Sequence, residues 1–176
     1  MVITLIGYRG SGKSVVAGLL ADMLDLSSID SDDVIEARAG RSIAEIFAQD
    51  GEPEFRRIEQ DVIRDLTGQD ALIIAAGGGA ILDLQNRQRM KESGPVVWLQ
   101  ASVPQLARRI RQDQSTANRR PSLTGQSVED EIETVLTVRF PLYADASTIR
   151  INTDGLSPDQ VATEIRSQLS AEGRCS

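Results

Sequence analysis

At 176 residues, 40% hydrophobic and 26% charged, the chain is long enough for one globular domain with a full core. Its formal charge of -7 and pI of about 4.7 argue against nucleic acid as the main partner. Histidine is absent, which excludes a Ser-His-Asp triad, a His-based zinc site and a phosphohistidine relay. Any general base is then a carboxylate, a less usual group or the substrate itself.

Short β-rich runs alternate with helical patterns. "VITLI" (2–6) reads as a strand entering a glycine-rich turn, and "KSVVAGLLADML" after it has apolar residues at helical spacing. "LSSI" (26–29) is a short strand, followed by helical stretches "DVIEARAG" and "SIAEIFAQDG". "EFRRIEQDVIRDL" sets Phe55, Ile58, Val62, Ile63 and Leu66 on one side of a helix. "ALIIA" (71–75) is a strand, "LDLQNRQRMKES" a polar helix and "PVVWLQ" (95–100) a strand. "SVPQLARRIRQ" reads as a helix with Ser102 at its N-cap. The polar, turn-rich "QDQSTANRRPSLTGQ" (112–126) is too long for a simple connection and is either a lid or an insert. "SVEDEIETVLTVRFPLYADA" is a longer helix and "STIRI" (147–151) a final strand. Ser157-Pro158 then opens a helix carrying Val161, Ile165 and Leu169.

Five strands separated by helices predict an α/β fold with a parallel sheet. Ligands are then expected beyond the C-terminal strand ends, after residues 6, 29, 75 and 151. No apolar run approaches the ~20 residues that span a bilayer. The opening "MVITLIGYRG" has neither a basic leader nor a small-residue cleavage site. The lone Cys175 offers no disulfide framework and no thiolate cluster. A cytoplasmic protein with no membrane or nucleic-acid partner is expected.

"GYRGSGKS", Gly7 to Ser14, fits G-x-x-x-x-G-K-[ST] between a strand and a helix. Glycines let backbone N–H groups converge on phosphate oxygens, and the helix N-terminus adds a favourable dipole. Gly7, Gly10, Ser11, Gly12, Lys13, Ser14 and Val15 form the expected ATP-binding stretch. Lys13 reaches the β/γ phosphates and the Ser14 hydroxyl ligates Mg²⁺. Of 19 basic residues only Lys13 and Lys91 are lysine, so a lysine here is informative. A dinucleotide fingerprint fails because its third glycine falls at Val15. A GTPase switch lacks both an Asn-Lys-x-Asp motif and an aspartate at the end of strand 71–75.

The Mg²⁺ carboxylate must then come from another strand end, and Asp30 is the candidate. Asp32 points from the same loop toward what lies beyond the γ-phosphate. Asp33 starts the following helix as a carboxylate serving its dipole. The plainer reading of all three is capping and solvation. Gly77, Gly78 and Gly79 follow a strand end and are costly to order unless a backbone or ligand comes very close. Arg56 and Glu59, three apart, are either a surface ion pair or a cation and an acid aimed at a small polar substrate.

Six stretches, "GYRGSGKS", "DSD" (30–32), "FRRIE" (55–59), "GGG" (77–79), "RRPSLTG" (119–125) and "RFPLY" (139–143), together resemble shikimate kinases over essentially the whole chain. The resemblance implies a P-loop kinase fold in one domain, 1–176, with strand order 2-3-1-4-5. It also implies a substrate-binding subdomain near 32–60 and a lid near 112–126. The implied reaction moves the γ-phosphoryl group of ATP, with Mg²⁺, to the 3-hydroxyl of shikimate, a step toward chorismate and the aromatic amino acids. Asp30 would lie near the metal, and Asp32 would hold the acceptor hydroxyl as base. Arg56 and Arg139 would pair with the substrate carboxylate, while Phe55, Glu59 and Gly77 to Gly79 would line the same pocket. Arg120 would reach the transferring phosphate; Arg119 beside it leaves the register open by one, and the proline position favours Arg120. Arg111 and the loop Asn152 to Gly155 would flank adenine. The lid looks most like the second bacterial isoform class, although Ser122 stands where much of the family has Leu. A monomer is expected. The rivals are another small-metabolite kinase of this fold, for a gluconate-like sugar acid or a nucleoside monophosphate, and a non-catalytic ATP-binding regulator.

Overall fold

The apolar runs of the first and third strands are buried throughout, as they must be at the centre of a sheet covered on both faces. The computed structural model describes residues 1–112, 127–171 and 173. Arg119, Arg120, Cys175 and all of the expected lid except Gln112 lie outside the described residues. The strands β1 (Val2–Ile6), β2 (Ser27–Asp30), β3 (Leu72–Ala75), β4 (Val96–Gln100) and β5 (Ile149–Asn152) pair in parallel. Their order is β2-β3-β1-β4-β5, as the resemblance implied.

The helices are α1 (Lys13–Leu24), α2 (Ser31–Ala39), α3 (Ile43–Gln49), α4 (Gly51–Thr67) and α5 (Leu84–Ser93), followed by α6 (Val103–Gln112), α7 (Val128–Ala146) and α8 (Pro158–Ala171). A 3-10 turn covers Ala80–Leu82. Alternate side chains of β1 enter opposite cores. Val2 and Ile6 join Ile35, Phe55, Ile63, Met90 and Tyr143 from α2, α4, α5 and α7. Ile3 and Leu5 join Val16, Leu20, Val161 and Ile165 from α1 and α8. Fully burying one such Ile or Leu stabilises by about 1.5–3 kcal/mol, so both layers clamp β1 and fix where its C-terminal end points. Among the described residues no helix is long and apolar enough to cross a membrane.

The boundaries around β2, α4 and β5 differ from expectation for local reasons. β2 ends at Asp30, one residue late, and Asp30 is also the N-cap of α2: its extended backbone (φ -93, ψ 125) lets its carboxylate accept the Asp32 N–H at 2.9 Å. Asp33 therefore does not start the helix but sits in its first turn, where its charge still favours the dipole. α4 begins at Gly51, whose left-handed φ of 80° turns the chain directly out of α3, and Pro53 occupies the first turn, where a missing N–H costs nothing. β5 starts later than expected because Ser147, read as the first strand residue, instead serves as the C-cap of α7, and the strand runs on to Asn152.

α3, which packs beside α4, is started by a capping box: Ser42 Oγ accepts the Glu45 N–H, and the Glu45 carboxylate accepts the Ser42 N–H. Ser42→Ala should cost about 1 kcal/mol through the lost cap, read from the urea midpoint. The Ser42 hydrogen bonds hold the Glu45 carboxyl below its usual pKa, so the stability this adds is present above the unfolded value. The difference between Ser42→Ala and the original chain should shrink as the pH falls through and below the ordinary glutamate range.

Candidate active site

The phosphate loop follows β1 and turns into α1 through Gly10 (φ 78°) and Gly12 (φ 92°), conformations that a side chain would strain. Gly12 is the N-cap and makes no side-chain cap hydrogen bond, so the first N–H groups of α1 remain available to an anion. Lys13 folds back over its own loop, its Nζ donating to the carbonyls of Gly7 at 2.9 Å and Tyr8 at 3.0 Å. Tyr8, within the loop, is buried, which pushes its phenol pKa up against the pull of Arg9. A cleft of about 830 Å³ opens over this loop, lined on one side by Gly10 to Val16 and on the other by Asp30, Asp32 and Gly77. Val15, more than half exposed, is part of that wall.

The three residues 30–32 make three separate connections. Asp30 Oδ2 accepts the Ser14 hydroxyl at 2.5 Å, while Oδ1 caps α2 through the Asp32 N–H. Capping and a place beside the phosphate loop, set against each other in the sequence, are thus carried by the same carboxylate. Ser31 Oγ accepts the Gly77 N–H at 2.8 Å in a buried contact. Asp32 reaches the glycine loop itself. Asp33 also lines the cleft, which its spacing in the sequence did not suggest.

Each of the three glycines leaves room for a close neighbour. A Cβ on Gly77 would lie 2.5 Å from Asp32 Oδ1, and one on Gly79 would lie 2.6 Å from Arg56 Nη1. The Gly78 carbonyl accepts from Arg139 Nη1 at 3.1 Å and from the Tyr143 hydroxyl at 2.9 Å. The loop therefore brings Asp32, Arg56 and Arg139 together. Tyr143 was not foreseen, although its place four residues after Arg139 puts both on one face of α7.

The pair Arg56–Glu59 is not a surface ion pair. Glu59 is 1% exposed, and its Oε2 lies 2.6 Å from Arg56 Nη1. Glu52 takes the other edge of the guanidinium. Burial works against the charge on Arg56, but Glu59 and Glu52 together raise its pKa. Phe55 departs from its assignment to the substrate pocket: it is fully buried in the core, beneath the Arg56 guanidinium and against the Phe47 ring. A residue so placed supports Arg56 and offers no face to a ligand.

The far end of the cleft also corrects the sequence reading. Arg111 does not line it; it projects to Glu129 on α7, with which it pairs at 2.6 Å. Arg108 and Arg109 line the cleft instead, with Thr153, Leu156 and Pro158. Arg109 donates to the Thr153 carbonyl and hydroxyl, both at 3.1 Å. Arg111, two residues or about 200° of helical turn beyond Arg109, points to the other side of α6, where Glu129 of α7 meets it. Arg9, another residue not foreseen, lines the cleft and pairs with buried Glu131.

The family model for shikimate kinase matches residues 9–170. The chain belongs to the shikimate kinase family. It is 47% identical to a shikimate kinase from Rhodopirellula baltica over 161 residues, 92% of this chain and 86% of that protein. With a shikimate kinase from Symbiobacterium thermophilum it shares 40% identity over 173 residues, 98% of each chain. A solved shikimate kinase from Acinetobacter baumannii in complex with shikimate superposes with a TM-score of 0.90 at 33% identity, covering 97% of this chain and 93% of that one.

Burial sets the order of two substitutions at that loop. Arg56→Ala leaves the Glu59 carboxylate buried without its cation and should cost about 3–5 kcal/mol in urea unfolding. Glu59→Gln should cost less, because Arg56 is 21% exposed and can turn toward water. Equal losses from the two would show that burial does not govern the pair.

Proposed function

We propose that the chain transfers the γ-phosphoryl group of ATP to the 3-hydroxyl of shikimate, yielding shikimate 3-phosphate on the route to chorismate and the aromatic amino acids. The observation that carries this is the position of Asp32, which lines the phosphate-loop cleft and also meets the glycine loop where Arg56 and Arg139 converge. An acceptor held by its carboxylate at the two arginine forks would present a hydroxyl toward Asp32, and the cleft would present the phosphoryl group from the other side.

The donor set beside the loop suits Mg²⁺. The Ser14 hydroxyl and Asp30 carboxylate, 2.5 Å apart, are two hard oxygen ligands next to a phosphate site, and this ion takes few protein ligands and completes its shell with phosphate and water. Bound there, it would neutralise charge on the β/γ oxygens. Lys13 would exchange its loop carbonyls for the transferring phosphate, and the α1 N-terminus would hold the β-phosphate. Asp32 would orient the acceptor hydroxyl and take its proton. Arg120, outside the described residues, is assigned to the phosphoryl group by the family resemblance alone. Arg108 and Arg109, with Leu156 and Pro158, are proposed to hold the base of the nucleotide. A single cytoplasmic, monomeric kinase domain with a helical acceptor subdomain and a lid completes the reading.

A coupled assay of ADP release tests it with a panel of acceptors. Shikimate should be turned over in preference to gluconate or a nucleoside monophosphate. Preference for either of those would sink the assignment, and ATP binding with no turnover on any acceptor would favour a regulator. Asp32→Asn should lower kcat by about 100-fold or more while ATP still binds; near-normal shikimate turnover would remove Asp32 from its role.

A further inference from the structure

We infer that Ser31, the residue between the two functional aspartates, is a positioning residue for the acceptor side of the site. The inference rests on the function proposed above. β2 and β3 pair in register as far as Asp30 opposite Ala75, and there the ladder stops because β2 turns into α2. Two residues beyond Ala75, the Gly77 N–H no longer has a β2 carbonyl to meet. Ser31, first in α2 and fully buried, supplies an acceptor from its side chain at 2.8 Å. The hydroxyl extends the sheet by one rung after the backbone has left it.

That rung bears on every acceptor-side group. Gly77 lies so close to Asp32 that a Cβ there would be 2.5 Å from its carboxylate oxygen. Gly78 holds Arg139 and Tyr143 through one carbonyl. Gly79 lies against the Arg56 guanidinium. Three consecutive glycines have little stiffness of their own, so the hydrogen bond at Gly77 anchors the loop against α2. The nucleotide side is tied down separately, through Asp30 to Ser14 and through Arg109 to Thr153. Loss of the Ser31 hydroxyl should therefore disturb the acceptor and spare the nucleotide.

The test compares Ser31→Ala, Ser31→Cys and Ser31→Thr with the original chain. Ser31→Ala should lower kcat for shikimate by about 10–100-fold, the effect of a slight misplacement of reacting groups, with the Kd for ADP unchanged within about twofold. Ser31→Thr, which keeps the hydroxyl, should restore kcat to within about threefold, with Ser31→Cys, a weaker acceptor, in between. If Ser31→Ala does not fold, the Cys and Thr variants carry the same comparison. The amide of Gly77 should exchange with deuterium about tenfold faster in Ser31→Ala or Ser31→Cys, a readout that needs no activity. A chain that does not turn over shikimate defeats the proposed function, and the exchange experiment still decides the role of Ser31. Unchanged exchange, an equal loss of ADP affinity and kcat, or failure of Thr to restore turnover would each overturn the inference.

Discussion

The close approach of four side chains to a loop that has none is the constraint on which this site depends. Asp32 and Arg56 lie where Cβ atoms at Gly77 and Gly79 would stand, and Arg139 and Tyr143 share the Gly78 carbonyl. The groups come from α2, α4 and α7, elements far apart in the chain, and meet only because the end of β3 lies between β2 and β1. An added side chain would push one of them away. Three glycines are entropically expensive, and the convergence of charged groups on their backbone is what offsets that cost.

The arrangement also explains how an acidic chain tolerates three aspartates in four positions. Asp30 is engaged on both oxygens, by the Ser14 hydroxyl and by the α2 N-terminus. Asp32 faces a loop flanked by two arginines, and Asp33 sits in the first turn of α2, where the helix dipole favours negative charge. Repulsion among them is met by separate partners in separate directions. Glu59 follows the same logic on a larger scale: a buried carboxylate is held by Arg56, which is fixed in turn by Glu52 and supported by the Phe55 ring.

Much of this was legible in the sequence wherever the determining physics is local. The phosphate loop could be read because its glycines, lysine and serine serve a backbone conformation spanning eight residues. The sheet could be read because central parallel strands are continuously apolar and covering helices are periodic. Asp30 and Asp32 followed from their place just past a strand. Local reading failed where the answer depended on which way a helix faces. Arg111 looked suitable, yet it points about 200° around α6 from Arg109, which reaches Thr153, and so meets Glu129 instead. For Phe55 the local spacing was right: it lies with Ile58, Val62 and Ile63 on the core side of α4, and it is the pocket place implied by the resemblance that the structure does not give it.

The sequence by itself determined a parallel α/β fold and the phosphate loop, because each follows from short-range periodicity or turn chemistry. Tertiary structure alone decided that Ser31 completes the β3 edge, that Asp30 both caps α2 and faces Ser14, and that three glycines make room for Asp32 and Arg56 and lend a carbonyl to Arg139. Those facts rest on distances between segments up to 61 residues apart in the chain, which no local rule constrains until the sheet order has been set.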